Sequence, residues 1–290
     1  MAPPSPPRQS FPARSRGWCA ATACRLEARA PKPGNVHPRA AFPDLAFHEL
    51  VAAGEAIAPV LHGAVGRPLG DTILDAVRAS RRVTRSNANL GIVLALAPLA
   101  ATPGDPGPID PARVATTLAG LTSHDAAAVW EAIRVAAPSG LGTRARHDLA
   151  GAAPADLMAA MRDGAAHDRI ARLWVEGYRP IRDGLAADIL AACDDGHALD
   201  DAVVRAFLRQ LSREPDSLVV RRHGAAVAAA VAAGAATALA AADWREAAAR
   251  FDAGLRCPRR INPGTTADLV AVALYILLWE GRLQGDVPDG

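Results

Sequence analysis

Lysine and asparagine are almost missing from this chain of 290 residues. One lysine stands among 32 basic residues, and asparagine occurs four times. All five fall in three short segments: Pro31-Lys32-Pro33-Gly34-Asn35, Ser86-Asn87-Ala88-Asn89-Leu90-Gly91 and Ile261-Asn262-Pro263-Gly264. A composition that replaces lysine by arginine makes a surviving lysine informative. Arginine is a planar, permanently charged fork, whereas lysine is a compact point charge on a flexible stem. The three segments are therefore the first candidates for an active site.

Other absences narrow the function class. Aromatic residues make up 4% of the chain, so alanine and leucine must form most helix contacts. Cys19, Cys24, Cys193 and Cys257 make no Cys-x-x-Cys pair and no zinc spacing, and read as free thiols in a reducing compartment. The net charge is +2, with acids and bases mixed, and no basic tract or aromatic platform argues for nucleic acid. No apolar run is long enough for a membrane span. The stretch 225–242 is only weakly hydrophobic, and 267–279 is strongly apolar but 13 residues long, against a span of roughly 20. Both read as buried core helices of a soluble, cytoplasmic protein. Residues 1–17, rich in Pro, Ser and Arg, lack the apolar core and cleavage site of a signal peptide and read as a disordered tail. Period-two strand patterns are missing too.

What is present is helical. Apolar spacing and breakers predict helices over 18–29, 44–61, 71–82, 89–99, 111–120, 123–137, 154–164, 167–191, 200–213, 216–240, 243–254 and 265–283. Ser123, Asp200 and Asp216 are the expected N-caps. A Pro/Gly/Asp linker covers 102–111, but the chemical segments lie on both sides of it. An all-α, single globular bundle of about a dozen helices over 18–290 is the simplest reading.

The prolines of Pro31-Lys32-Pro33-Gly34 fix the backbone around Lys32, and Gly34 allows close approach of a ligand. A lysine on such a loop suits a phosphate, and Glu27 upstream could orient Lys32 or hold a metal; a solvated surface turn is the alternative. Asn87 and Asn89 precede a buried helix, where they can cap it or bind a ligand near an anion-attracting N-terminus. Asp216 precedes Arg221 and Arg222 in an apolar segment. Charges there are either functional or joined by a salt bridge along the helix, because unpaired burial is costly. In Asn262-Pro263-Gly264-Thr265-Thr266-Ala267-Asp268, either threonine could cap a helix. Asp268 then falls in its first turn, placed to bind a metal, stabilise a cation or simply complement the helix dipole. Two further stretches are weaker: His167-Asp168-Arg169, and Asp148 after Gly140-Leu141-Gly142.

Taken together, these segments resemble the triphosphoribosyl-dephospho-coenzyme A synthase family, over about residues 18–283. The resemblance rests on Glu27 with Pro31-Lys32-Pro33-Gly34, on Asp44, and on the Asn87–Gly91 loop. It continues through Asp216 with its arginine to Asn262-Pro263-Gly264-x-x-Ala267-Asp268-Leu269. Two departures stand out. The family loop reads Asn-Thr-His-Lys-Gly where this chain has Asn87-Ala88-Asn89-Leu90-Gly91, and Arg-Gly-Gly is replaced by Arg221-Arg222-His223-Gly224. The resemblance implies an all-helical enzyme that takes ATP and dephospho-coenzyme A. It transfers the C1′ of ATP, triphosphate attached, to an acceptor hydroxyl and releases adenine. Breaking the C1′–N9 bond makes an oxocarbenium-like centre that needs carboxylates nearby, as in glycoside hydrolysis. The triphosphate needs Mg²⁺, which prefers one or two carboxylates plus phosphate oxygens.

On this reading Glu27, Asp216 and Asp268 are catalytic, and Asp44, Asp216 and Asp268 are metal ligands. Lys32, Arg221 and Arg222 contact phosphate. Asn35, Asn87, Asn89 and Asn262 complete the substrate site, with the last three orienting sugar or base. His48 and His223 are options for the acid that protonates adenine. ATP and a small acceptor are the expected partners, with neither nucleic acid nor membrane, and a homodimer is one option for assembly. Competing readings are a pentosyl transferase of pterin or furan one-carbon cofactor synthesis, and a helical nucleotide binder without catalysis.

Overall fold

The computed structural model describes residues 11–84, 86–137, 149 and 151–283. Among them it contains fourteen α-helices and a π-helical segment, with only two isolated β-bridges, His37–Ala40 and Phe42–Leu45. The all-α expectation holds, and no described helix is long and apolar enough to cross a membrane.

The fold is organised around the last helix, α14 (Gly264–Trp279). From Thr265 to Trp279 every residue except Asp268 is buried. Each fully buried Leu, Ile or Val contributes about 1.5–3 kcal/mol of transfer free energy, so a helix apolar on every face belongs at the centre. Around it pack α1 (Arg16–Arg29), α4 (Leu90–Ala101), the π segment (Ile181–Ala186), α8 (Arg169–Glu176), α10 (Leu199–Arg213) and α11 (Ser217–His223). A second layer of α2 (Phe47–His62) and α3 (Leu69–Val83) packs on α1 and α4, and α6 (Ser123–Ala136) packs on α3. The remaining helices are α5 (Pro111–Ala119), α7 (Leu157–Gly164), α9 (Ala187–Asp194), α12 (Ala225–Ala240) and α13 (Trp244–Arg256).

Pro98 lies inside α4 and cannot donate to the carbonyl of Leu94. That carbonyl instead accepts from Trp174 Nε1 at 3.0 Å, and the next one, of Ala95, accepts from Tyr178 Oη at 2.6 Å. The kink-forming residue of α4 is thereby converted into a tie to the segment around α8.

Several local expectations are corrected. The single helix expected over 167–191 is two helices and a π segment, broken at Gly177, whose φ is +76°. The helix expected over 216–240 breaks at Gly224, with φ +90°. Thr122, rather than Ser123, caps α6, in a capping box with Asp125. Asp200 is not a cap but lies in the first turn of α10, paired with Arg29 at 2.9 Å. Neither Thr265 nor Thr266 caps α14, whose N-cap is Pro263; Asp268 therefore falls beyond the first turn. Of the expected tail, residues 1–10 lie outside the described residues. The segment from Phe11 is placed: Ser15 caps α1, and the Arg14 guanidinium donates to the Trp279 carbonyl at 3.0 Å. Asp148 also lies outside the described residues.

Candidate active site

Pro31 ends α1, and the loop that follows folds Lys32 inward. Lys32 is fully buried. Its ammonium pairs with Glu27 Oε1 at 3.0 Å and donates to the carbonyls of Glu27 and Ala30, the latter at 3.3 Å. An ammonium has three N–H donors, and here three acceptors meet them. Arginine in the same dry pocket would bring five donors, leaving two unmet. This is the physical reason for the lone lysine. Expected to contact phosphate, Lys32 has its side chain turned inside the protein, holding Glu27.

The rest of that loop is clamped from α13. Asp252 accepts from Gly34 N at 2.7 Å and pairs with Arg256 at 2.7 Å, and Arg256 donates to the Asn35 carbonyl. Gly34 has φ +77°, and a Cβ there would meet the Ile261 carbonyl oxygen at 2.8 Å and Pro263 Cδ at 2.8 Å. Only glycine lets the first and third rare-residue segments lie this close.

The middle segment joins them through α14. A Cβ on Gly91 would meet Asp268 Oδ2 at 2.0 Å, so the Asp268 carboxylate occupies the space that glycine leaves at the start of α4. Among the described residues this carboxylate has no hydrogen bond or ion pair. Burial first, then the charges of Glu27, Asp216 and Asp168, push its pKa well above the usual carboxylate range, against the opposing pull of Arg221.

Asp216 differs completely. It is fully buried. Its Oδ1 accepts from Leu218 N at 2.9 Å and Val219 N at 3.0 Å, capping α11 as expected. Its Oδ2 accepts from Thr266 N at 2.6 Å and Thr266 Oγ1 at 2.8 Å. Expected as a catalytic group and metal ligand, Asp216 has four donors on its two oxygens and forms a clip between α11 and α14. Arg221, which the clip positions, pairs with Asp168 Oδ2 at 3.3 Å and not with Asp216.

These elements enclose one cavity of about 1470 Å³. Ligand pockets commonly hold about 300–1,000 Å³, so this one exceeds the room a single nucleotide needs. Glu27, Asn35, Asp44, Asn87, Asn89, Arg221, Arg222, Asn262 and Asp268 line it, as the sequence led us to expect; Lys32, Asp216 and His48 do not. The expected metal trio is not assembled: Asp216 is occupied, and no group of three His, Cys, Asp or Glu suited to a metal exists among the described residues. His223 lines the cavity, joined by His167. Asp168, Arg81, Arg259 and Arg260 also line it; sequence reasoning gave Asp168 only as part of a weaker stretch and missed the three arginines as site residues. The signal for Asp168 was its position as N-cap of α8, where its Oδ1 accepts from Ile170 N at 2.8 Å. For the arginines there was none, in a chain where arginine is everywhere. All four cysteines are free, and burial pushes the Cys19 thiol up to about 12, which rules out a ready thiolate there.

Comparison with curated proteins by sequence gives no match. The family model for ATP:dephospho-CoA triphosphoribosyl transferase matches residues 13–286. Among solved structures, a triphosphoribosyl-dephospho-coA synthase from Archaeoglobus fulgidus superposes with a TM-score of 0.62 at 25% identity, covering 80% of this chain and 99% of the other. These findings favour triphosphoribosyl transfer over a one-carbon cofactor enzyme or a non-catalytic binder. With its cavity, its carboxylates and nearly its whole length accounted for, the chain belongs to the ATP:dephospho-CoA triphosphoribosyl transferase family.

Proposed function

We propose that this cavity transfers the triphosphoribosyl group of ATP to a hydroxyl of dephospho-coenzyme A, with Glu27 and Asp268 facing the reacting C1′. The observation that carries the assignment of roles is the separation of charge within one cavity. Carboxylates from α1 and α14 lie where the rare-residue segments converge, and Arg81, Arg221, Arg222, Arg259 and Arg260 line the same space. A cationic C1′ needs the former and a triphosphate the latter.

The chemistry follows from the residues. As the C1′–N9 bond breaks, its electron pair leaves with adenine and positive charge grows on the ribose. Glu27, whose carboxylate Lys32 holds in place, and Asp268 supply fixed negative charge there. One well-aimed group in a water-poor site is worth about 3–4 kcal/mol. The acceptor oxygen then bonds C1′ and loses its proton, which balances the one that the departing adenine takes up. The arginines hold the triphosphate, which stays on the product. Arg259 and Arg260, exposed on the loop before Asn262, supply cationic charge in a chain whose Asn87–Gly91 loop has no lysine.

Mg²⁺ fits the carboxylates. Asp268 and Glu27 face one cavity, and the Glu27 charge contributes to the upward shift of Asp268. Two carboxylates with phosphate oxygens are the donor set this ion prefers. Asp268 and Glu27 would hold it. When bound it would neutralise part of the triphosphate charge.

The test is a mass-spectrometric assay with Mg-ATP, with and without dephospho-coenzyme A, following free adenine and the triphosphoribosyl adduct. Both products are expected only with the acceptor, and both are lost on Asp268→Asn. Folded protein that releases no adenine would refute the proposal.

A further inference from the structure

Two amides lining the cavity carry polar atoms with no hydrogen-bond partner among the described residues: Asn89 Nδ2, on a residue only 5% exposed, and Asn262 Oδ1. The first is a donor and the second an acceptor. A buried polar atom left unmet is costly, so a complementary pair in one cavity marks where a polar ligand edge belongs. Local structure explains why both are free. Asn87 Oδ1, not Asn89, accepts from Leu90 N at the start of α4, at 3.2 Å. Asn262 serves Gly264 N through its backbone carbonyl, at 2.8 Å, which leaves its side-chain oxygen unmet. Both flank the reacting end of the cavity. Asn89 is two residues before Gly91, whose Cα borders the Asp268 carboxylate, and Asn262 lies on the loop that leads into α14.

We infer that Asn89 and Asn262 read the 6-amino edge of the donor's adenine: Asn89 Nδ2 donates to a ring nitrogen, and Asn262 Oδ1 accepts from the exocyclic amino group. This rests on the proposed function, because it takes Asp268 to face C1′. The donor's base is bonded directly to C1′, so groups beside Asp268 meet that base first. Adenine offers the matching pattern, an amino donor next to a ring-nitrogen acceptor. A 6-oxopurine offers an oxygen where Asn262 presents an oxygen.

The experiment titrates the protein, without acceptor, with Mg-ATP and with the Mg-triphosphate of purine riboside, which lacks only the amino group. Wild type should bind the analogue about tenfold more weakly, the worth of one buried hydrogen bond. Asn262→Ala should weaken ATP to the level of the analogue and make the two nucleotides equal. Asn89→Asp and Asn262→Asp add the same charge to the same cavity, but only the first removes a needed donor. Asn89→Asp should therefore weaken ATP about tenfold more than Asn262→Asp.

Equal binding of the two nucleotides by wild type overturns the inference, and that comparison needs no variant. So does an amino-group preference that persists in Asn262→Ala, or equal damage from the two aspartates. Absence of ATP binding would instead refute the proposed function.

Discussion

The clip between α11 and α14 and the contact between α4 and α14 each hold one aspartate, the first buried and the second open to the cavity, and the two meet opposite conditions. Asp216 accepts four hydrogen bonds, caps a helix and faces no cavity. Asp268, two residues beyond Thr266 on the same helix, accepts none among the described residues and faces the cavity beside another carboxylate. Burial raises the pKa of both, but at Asp216 the bonds from Thr266 and Val219 pull back, whereas at Asp268 the neighbouring charges of Glu27, Asp216 and Asp168 add to the rise. A satisfied buried charge is part of the scaffold. An unsatisfied one beside a cavity is kept for something other than folding.

The contrast can be broken at its satisfied end first. Lys32→Ala strips the buried Glu27 carboxylate of its ion-pair partner, and should lower stability by about 3–5 kcal/mol, read by chemical denaturation. Lys32→Arg should not restore it, because of the two donors left unmet. At the other end, Asp268→Asn should cut adenine release by about 10²–10³-fold while thermal stability holds or rises. A fall in stability as large as that of Lys32→Ala would erase the distinction. Asp216→Asn should do the reverse, costing about 2–3 kcal/mol through a lost cap and lost bonds to Thr266, with turnover per folded molecule changed less than tenfold. Gly91→Ala pushes a methyl group at the Asp268 carboxylate and should slow turnover about tenfold, as a roughly 1.4 kcal/mol misplacement would, with little change in melting temperature. The smallest effect is on pH dependence. The Asp268 carboxyl has a folded pKa above its unfolded one. Its stabilising contribution is therefore complete below about pH 4 and is lost as pH rises through the folded value. The melting-temperature advantage of Asp268→Asn over wild type should accordingly be present at neutral pH and vanish near pH 4.

Glycine and proline made much of the site legible. Pro31, Gly34, Gly91, Pro263 and Gly264 punctuate an otherwise helical chain, and the rare residues between them do converge. Partner choice was not legible. Lys32 reads as a surface phosphate ligand until the loop is seen folded onto the end of α1, where a cation meets free carbonyls. Arg81, Arg259 and Arg260 were invisible because a chain with 31 arginines gives no contrast among them. The break at Gly224 was hidden by the alanine-rich stretch that follows it, whose helical signal is uniform on every face, and the break at Gly177 by apolar spacing that continues on both sides of it. Asp216 was rightly placed as a cap, but its second oxygen is committed to Thr266, fifty residues away, and sequence spacing carries no trace of that.

The tie that Pro98 creates has an optical consequence. The indole N–H of Trp174 is bonded to a carbonyl of the helix that carries Asn89 and Gly91 at its head. Any axial shift of α4 when substrates enter must stretch or release that bond. Trp174 is thus an intrinsic gauge of α4, whose indole proton resonance and emission report on the cavity's head from the far side of the helix.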